Sequence, residues 1–556
     1  MVLGNPVWGK DFFDRLKERE KLHYCFNEFK EGRRNNLAII GLRKIGKTSL
    51  IKQFIFELEQ KKEKCFIIDV YLPEKDTESF ISRVLMEIIK GSLKKMKIKE
   101  VSLNIDSALD IIQTKYPRST LLIMKIFKEL NNKKYDLAFT LLFDLLDIFS
   151  KEFKNKIVIF LDEFQRLVEY EKDIESPIDK FRERLMLLDN CLFIVSGSSV
   201  GMLNRLIASS KSPLYGHLDK ISLRVFNFED SIEFINKKKR KNIEIGKNKI
   251  LFLYEITNGN PFYLDIIINE FNLHKFNLHN NGGVKKINNT LFQEILMKQI
   301  FKVDGRIYSY FDSLMEQSLT QRGAKNYSKI LFSLSDNNRR PSKISKDTKI
   351  PFTTLPAYLK KLQELELIEK IKRKKGSKIS EYDFIDSMFK LWIKYVYSMK
   401  EDVLFLNIKD EIKIKQDNLN QMMETFHTQI GQSYEVRIRE LFRKFNNEII
   451  DDVLLPKFSE VENLNSEIEI DVVAKNKEHT WVVEITKEHM NYPKFNKFKK
   501  KLELFKEKVT KKIIILTCGI DKKVEETAKK EGYEIWHLDF INKLMKEYSL
   551  YRILPL

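Results

Sequence analysis

"LAIIGLRKIGKTSL", residues 37–50, runs from an apolar stretch straight into a glycine-framed loop carrying a lysine and two hydroxyls. "NNLAII" reads as a short buried strand, "GLRKIGKTS" matches G-x-x-x-x-G-K-[ST], and "SLIKQFIFELEQ" continues with helical spacing. The order strand, loop, helix matters because successive loop N–H groups and the positive end of the helix converge on a phosphate. Gly41 and Gly46 let the backbone turn and approach closely. Lys47 is placed to reach the β- and γ-phosphates and Thr48 to ligate Mg²⁺, with Ser49 beside it as a further nucleotide contact. The cofactors read from this loop are ATP and Mg²⁺, with GTP open as the other triphosphate.

Such a loop predicts a second apolar strand ending in an acid, and "KIVIFLDEFQRL" at 156–167 supplies it. Asp162 is expected in the magnesium shell, and Glu163 as the group that polarises water for attack on the γ-phosphate, with Lys47 as its catalytic partner. "KCFIIDVYL" adds a strand, the roughly 85 residues after it look mainly helical, and "NCLFIVSGSSVGML" is a further strand. Its end, Ser196 or Ser198, is placed to sense the γ-phosphate. Strands alternating with helices predict an α/β class with a doubly wound parallel sheet that binds its ligand at the carboxyl ends of the strands.

At 556 residues the chain is too long for one core, so three or four domains are expected. Hydrophobic residues at 43% and charged residues at 32% exclude a disordered chain. No uninterrupted apolar stretch approaches the ~18 residues that cross a bilayer, and "MVLGNPVWGKDFF" has no leader pattern. The expectation is a cytoplasmic protein with no membrane partner. Cys25, Cys65, Cys191 and Cys518 are scattered singly and are expected to be buried reduced thiols. A net charge of +20 is compatible with a polyanionic partner, but the abundance of Lys, Asn, Ile and Phe also fits an A+T-rich coding bias.

Several separated pieces of the first 265 residues or so resemble the archaeal ATPase family, a branch of the STAND-type, AAA+-related NTPases. They are "VWGKDFFDRLKERE", the P-loop, "IFLDEFQRL", "IVSGSSVGMLNRL…SPLYGH" and "ITNGNPFYL". The resemblance implies a helical lid over the nucleotide, with Thr257, Asn258, Gly259, Asn260 and Pro261 near its phosphates or base. Relatives commonly carry Gly-Arg after "SPLY". Here Gly216-His217 stands instead, so slow turnover or another arginine, such as Arg205 or Arg224, is expected.

From Phe228 to about Leu319 the pattern is helical with few strand signals. Three short helices then precede two strands, "LIEKIKR" and "KISEYDFI", around a basic turn, which makes a winged helix. In the third helix Leu355, Leu359, Leu362 and Leu365 form the apolar stripe, leaving Lys360 and Lys361 outward, with Lys372, Arg373, Lys374, Lys375 and Lys378 on the wing. These basic residues are candidate phosphate contacts to DNA; the same module in STAND-like proteins is often a protein clamp.

After a polar, irregular segment near 405–420, "MMETFHTQIGQSYEVRIRELFRKF" opens a separate unit. Two strands, "SEIEIDVVAK" and "HTWVVEIT", carry Asp471 and Glu484. The pattern looks like the restriction-endonuclease-like fold, D…ExK, which implies a second Mg²⁺ or Mn²⁺ held by Asp471, Glu484 and, from the preceding helix, Glu435. The strand pleat places Thr486, not Lys487, on the Glu484 face, so cleavage is in question. Residues 487–512 hold ten lysines against three glutamates, with Phe495, Phe498, Leu502 and Phe505 as a core-facing stripe. The lysines, Lys487 among them, would follow a nucleic-acid backbone, deliver a substitute lysine, or form a solvated surface.

The expected organisation is a P-loop NTPase at 1–226, a helical lid at 227–320, a winged helix at 321–400, a linker at 401–424 and a restriction-endonuclease-like domain at 425–556. The function read from it is an Mg-dependent ATPase acting as a switch on a nuclease-like effector. The alternatives are a non-catalytic DNA-binding regulator and a protein-interaction scaffold, and self-association into a homo-oligomer is left open.

Overall fold

The structure, a computed structural model, describes residues 5–98, 104–198, 200–210, 212–274, 285–319, 324–371, 380–400, 408–465, 469–486, 488–505 and 507–548. The chain divides into two compact units, 1–225 with 361–366, and 226–360 with 367–556.

The first unit is built on β1 (Leu37–Ile40), β2 (Cys65–Tyr71), β3 (Lys156–Asp162), β4 (Cys191–Gly197) and β5 (Asp219–Ser222). They form one sheet in the order β2-β3-β4-β1-β5, and every pairing is parallel. β1 and β4 are buried along their whole length, as continuous apolar runs require when helices cover both faces. The period of two distributes their side chains to opposite sides. Leu37, Ile39, Val158, Phe160, Leu192 and Ile194 pack with Phe26, Leu50 and Phe54 of the helices Leu16–Lys30 and Lys47–Gln60. Ala38, Ile40, Ile157, Ile159, Phe193 and Val195 pack on the other side with the helices Thr77–Lys95, Ile105–Gln113, Pro117–Asn131 and Tyr135–Phe153. β5 was not evident in the sequence: it is an edge strand with only Ile221 buried.

The second unit begins with the helices Phe228–Lys238, Lys247–Thr257, Pro261–Leu273, Asn289–Leu296 and Arg306–Leu319. A short parallel pair, β6 (Ile243–Glu244) with β7 (Lys285–Lys286), interrupts them. The winged-helix helices are Ala324–Ser335, Pro341–Thr348 and Leu355–Glu364, followed by the antiparallel β8 (Ile368–Ile371) and β9 (Glu381–Phe384). Leu355, Leu359 and Leu362 are buried, as their spacing predicts. Asp386 caps the next helix, Ser387–Tyr395, through the N–H groups of Met388 and Phe389, and accepts a 2.5 Å hydrogen bond from the Tyr263 hydroxyl.

The segment expected to be an irregular linker is instead helical from residue 408. It opens a continuous 37-residue helix, Ile408–Lys444. Its polar composition hides it, because Leu419 and Met422 are the buried apolar side chains among those described in its first half. A hairpin follows, β10 (Glu448–Ile450) with β11 (Val453–Leu455), turned by Asp451 and Asp452, both at positive φ as a two-residue hairpin loop demands. β12 (Glu460–Asn465), β13 (Glu469–Lys475), β14 (Thr480–Thr486), β15 (Lys511–Leu516) and β16 (Tyr533–His537) form a mixed sheet in sequence order. Its first two pairings are antiparallel and its last two parallel. Phe495 and Phe498 of the helix Tyr492–Leu504 pack on Val482, Ile514 and Leu516. The aromatic rings of Phe442, Phe458, Trp481 and Trp536 pack together in the same domain.

Candidate functional site

The glycine-framed loop connects β1 to the helix Lys47–Gln60. Gly46 has φ 103° with nothing within 4 Å of where a Cβ would stand, so the loop presents an open, backbone-lined concavity. Gly41 is glycine for a different reason: a Cβ there would stand 2.8 Å from Ile45 Cγ2 and 2.9 Å from the Leu223 carbonyl. The Lys47 ammonium donates to the Gly41 and Leu42 carbonyls, both at 2.9 Å. Burial pushes its pKa down, opposed by the nearby carboxylates of Glu163 and Asp162. An anion in the loop would give this ammonium the partner that burial withholds.

Across the loop the Thr48 hydroxyl donates to Asp162 Oδ2 at 2.9 Å, and Ser196 donates to Asp162 Oδ1 at 2.6 Å. The sheet order explains the bridge, since β4, which carries Ser196, lies between β3 and β1. Hydroxyl and carboxylate oxygens are the hard donors that suit Mg²⁺, so Thr48 and Asp162 fit that ion. Glu163 sits just beyond, at φ 58°, and its Oε2 accepts hydrogen bonds from Gln165 Nε2 at 2.5 Å and Ser198 Oγ at 2.9 Å. Ser49 turns to the N-terminal segment instead: its Oγ accepts from the Val7 N–H at 3.1 Å, while Gln53 accepts from the Gly9 N–H at 2.7 Å.

Two residues here escaped the sequence reading. Gln165 is buried, and a Cβ on Gly197 would stand 2.2 Å from its Oε1, so the glycine makes room for the amide. Arg15, also buried, donates to the carbonyls of Ile45 at 3.2 Å and Arg224 at 2.7 Å and so braces the loop. A polar residue two places after the acidic pair and a glycine at the end of the neighbouring strand were the available signals for the first. A long-range bond to backbone carbonyls leaves no signal for the second. Arg205 and Arg224, the candidate substitute arginines, are both exposed.

In the second unit Asn258 (φ 49°) and Gly259 (φ 67°) end the helix Lys247–Thr257 in left-handed conformations. A Cβ on Gly259 would stand 2.1 Å from the Phe226 carbonyl, so only glycine fits. Asn260 caps the next helix through the Phe262 N–H at 3.0 Å, with Pro261 at its first position. Each of these residues thus has a local structural task. In the winged helix Lys360 is exposed and Lys361 lies 3.8 Å from Glu364. Lys372, Arg373, Lys374, Lys375, Lys378 and Lys487 lie outside the described residues.

In the C-terminal sheet Val472 pairs with Val483, and continuing that register by one step sets Asp471 across from Glu484. Asp471 Oδ2 accepts the Ile485 N–H at 2.7 Å. Both Glu484 oxygens accept from Lys501 Nζ, at 2.8 and 3.0 Å. Carboxylate oxygens are hard donors of the kind a divalent cation takes, and here two of the residues bearing them hold opposed register positions. Glu435 lies 3.9 Å from Arg439, which donates to the Asp471 carbonyl at 2.8 Å. Among the described residues no group of three or more His, Cys, Asp or Glu could hold a metal ion, so Glu435 does not complete a trio with the other two. None of the four cysteines is in a disulfide; three are buried, and Cys518 is partly exposed, against expectation. No described helix is long and apolar enough to cross a membrane.

Residues 12–267 match a family described as an ATPase domain predominantly from Archaea, 325–370 the arsR family of bacterial regulatory proteins, and 466–534 the PD-(D/E)XK nuclease superfamily. The chain is similar to an uncharacterized protein of Methanocaldococcus jannaschii, 24% identical over 252 residues that cover 44% of this chain and 49% of that protein. It is also similar to hybrid signal transduction histidine kinase G of Dictyostelium discoideum, 26% identical over 178 residues, 30% of this chain and 5% of the kinase. The chain therefore spans about half or less of the curated relatives it matches. Among solved structures, the Walker-type ATPase paby2304 of Pyrococcus abyssi is 22% identical, covering 70% of this chain and 97% of that one at a TM-score of 0.45. The Aeropyrum pernix ORC1 protein in complex with DNA is 11% identical, covering 70% and 93% at a TM-score of 0.36.

Proposed function

From a chain that carries an archaeal-type ATPase domain, an arsR-type helix-turn-helix and a PD-(D/E)XK-type domain, we propose a nucleotide-driven switch that controls a nuclease-like effector acting on nucleic acid. The observation that carries it is the cradle at the end of β1, where Lys47, Thr48 and Asp162 converge on an open glycine loop. Lys47 holds the β- and γ-phosphates of ATP, and the loop N–H groups through Ser49 close around them. Mg²⁺ at Thr48 and Asp162 would offset phosphate charge as the terminal phosphoryl group leaves. Glu163 orients and deprotonates the attacking water, and Ser198, bonded to Glu163, reports the γ-phosphate to that carboxylate. The family resemblance assigns Asn258, Gly259 and Pro261 a role in holding the nucleotide. Lys360 and Lys361, with Arg373, Lys374, Lys375 and Lys487, supply phosphate contacts.

A ligand moves such an equilibrium only through different affinities for its two states. Limited proteolysis in ADP and in a non-hydrolysable ATP analogue is expected to give different protection patterns; identical patterns would remove the switch. Lys47→Ala should weaken ATP binding by at least about tenfold, or roughly 1.4 kcal/mol, read by calorimetry. Unchanged affinity would sink the assignment of the cradle.

Thr486 favours a second reading, a DNA-binding regulator whose C-terminal domain grips nucleic acid without cutting it. The threonine is buried and tied into the sheet, its hydroxyl to the Ile515 carbonyl at 3.2 Å. Incubation of DNA and RNA with Mg²⁺ or Mn²⁺, with Asp471→Ala as control, separates the two.

A further inference from the structure

Thr486 leaves the Glu484 face of β14 without a strand-borne ammonium. Its hydroxyl bonds the Ile515 carbonyl, and its own carbonyl accepts the Thr517 hydroxyl at 2.6 Å, so the residue is committed to the sheet. The helix Tyr492–Leu504 crosses the same sheet face, anchored there by Phe495 and Phe498 against Val482, Ile514 and Leu516. Lys501, one turn after Phe498, inherits that orientation. Its Nζ reaches both Glu484 oxygens, and the two side chains are only 16% and 18% exposed. Lys494 and Lys499 of the same helix pair instead with Glu488 and Glu531 at more exposed positions. Of these three ion pairs, Lys501–Glu484 is the most enclosed, and its carboxylate lies on the strand beside Asp471.

We propose that Lys501, delivered from the neighbouring helix, is the catalytic lysine of the C-terminal domain, acting on a nucleic-acid phosphodiester; this rests on the nuclease reading above. A divalent cation at Asp471 and Glu484 would supply Lewis-acid charge to the phosphate. Lys501 donates a hydrogen bond to the attacking water and stabilises the negative charge its oxygen gains as the water proton passes to solvent. That oxygen forms a new bond to phosphorus, one P–O bond to a sugar oxygen breaks, and the departing oxygen takes a proton from solvent. The products are a terminal phosphate and a free sugar hydroxyl. The ammonium and the cation also compete for Glu484, which gives the proposal a second observable.

The test uses the full chain, with supercoiled plasmid DNA and an end-labelled RNA oligonucleotide as substrates and free Mn²⁺ followed by electron paramagnetic resonance. Lys501→Met is expected to lower cleavage by about a hundredfold or more, the scale of losing a positioned catalytic group, while binding Mn²⁺ at least as tightly as the native chain. Asp471→Ala should lose both. A Lys501→Met chain that cleaves within about threefold of native, while Asp471→Ala is inactive, overturns the role of Lys501 and leaves the nuclease reading standing. Loss of Mn²⁺ binding together with cleavage also overturns it, because Lys501 would then only support the carboxylates. A native chain that cuts neither substrate with either metal overturns both.

Discussion

Glu163 is restrained on one oxygen by two donors, Gln165 and Ser198, and the restraint depends on a glycine in another strand. Both donors hold the same Oε2, so the carboxylate is not free to turn toward a water until one of them lets go. Gln165→Ala should therefore raise ATP turnover by about two- to tenfold, whereas Glu163→Gln should lower it by about a hundredfold with nucleotide affinity kept. Gly197→Ala should mimic Gln165→Ala, since its new methyl would stand where the amide oxygen is. Steady-state phosphate release checks all three, and equal rates in native and Gln165→Ala would show that the amide holds nothing of consequence. The meeting of Lys47, Thr48 and Asp162 at the end of β1 was legible in the sequence because the G-x-x-x-x-G-K-[ST] spacing and an acid-tipped strand fix those residues locally. Gln165 and Arg15 were not, because their partners lie 32 residues away on another strand (Gly197) and on backbone carbonyls (Ile45, Arg224), where sequence spacing carries no information.

At the scale of elements, the helices Pro261–Leu273 and Ser387–Tyr395 are joined by the buried Tyr263 and the partly buried Asp386 at the second helix's N-terminus. Burial pushes the Asp386 carboxyl up from its ordinary value, against the pull of its hydrogen bonds to Tyr263, Phe389 and Met388. The folded state therefore binds the proton more tightly than the unfolded chain, and stability falls as pH rises from about 3.9 through the raised folded value. Asp386→Asn keeps a capping oxygen without the charge. Its stability relative to native should grow over that pH range, and urea unfolding at several pH values reads the difference; a constant difference would contradict the buried charge. Tyr263→Phe should cost about 1.5 to 3 kcal/mol near neutral pH, the range for a hydrogen bond to a charged group. In the winged helix, Lys360→Ala and Lys361→Ala should each reduce the log–log salt dependence of DNA binding by about 0.9, the contribution of one phosphate contact. An unchanged slope would place that helix off the nucleic acid. Elements with continuous apolar runs, β1, β3 and β4, announce themselves, while β5 and the start of the helix Ile408–Lys444 present too few buried side chains to show a period.

Across the whole molecule, the helix Ile408–Lys444 takes hold of both ends of the second unit. In its first half Asn418 donates to the Tyr395 carbonyl at 3.1 Å, and at its middle Thr425 shares a 2.9 Å hydrogen bond with the Tyr395 hydroxyl. Near its end Arg439 grips the Asp471 carbonyl and Arg443 the Val461 carbonyl at 2.9 Å. At about 1.5 Å per residue its length is roughly 55 Å. A tilt of about 5° at the winged-helix end would sweep the far end through roughly 5 Å, more than the span of a hydrogen bond. For the proposed switch, a helix of this length would need no large rearrangement to present or withdraw the strand that bears Asp471. Under that proposal stiffness matters in its own right: a proline at Thr425, costing about 3 kcal/mol and kinking the shaft, should leave ATP turnover intact while making any cleavage insensitive to which nucleotide is bound.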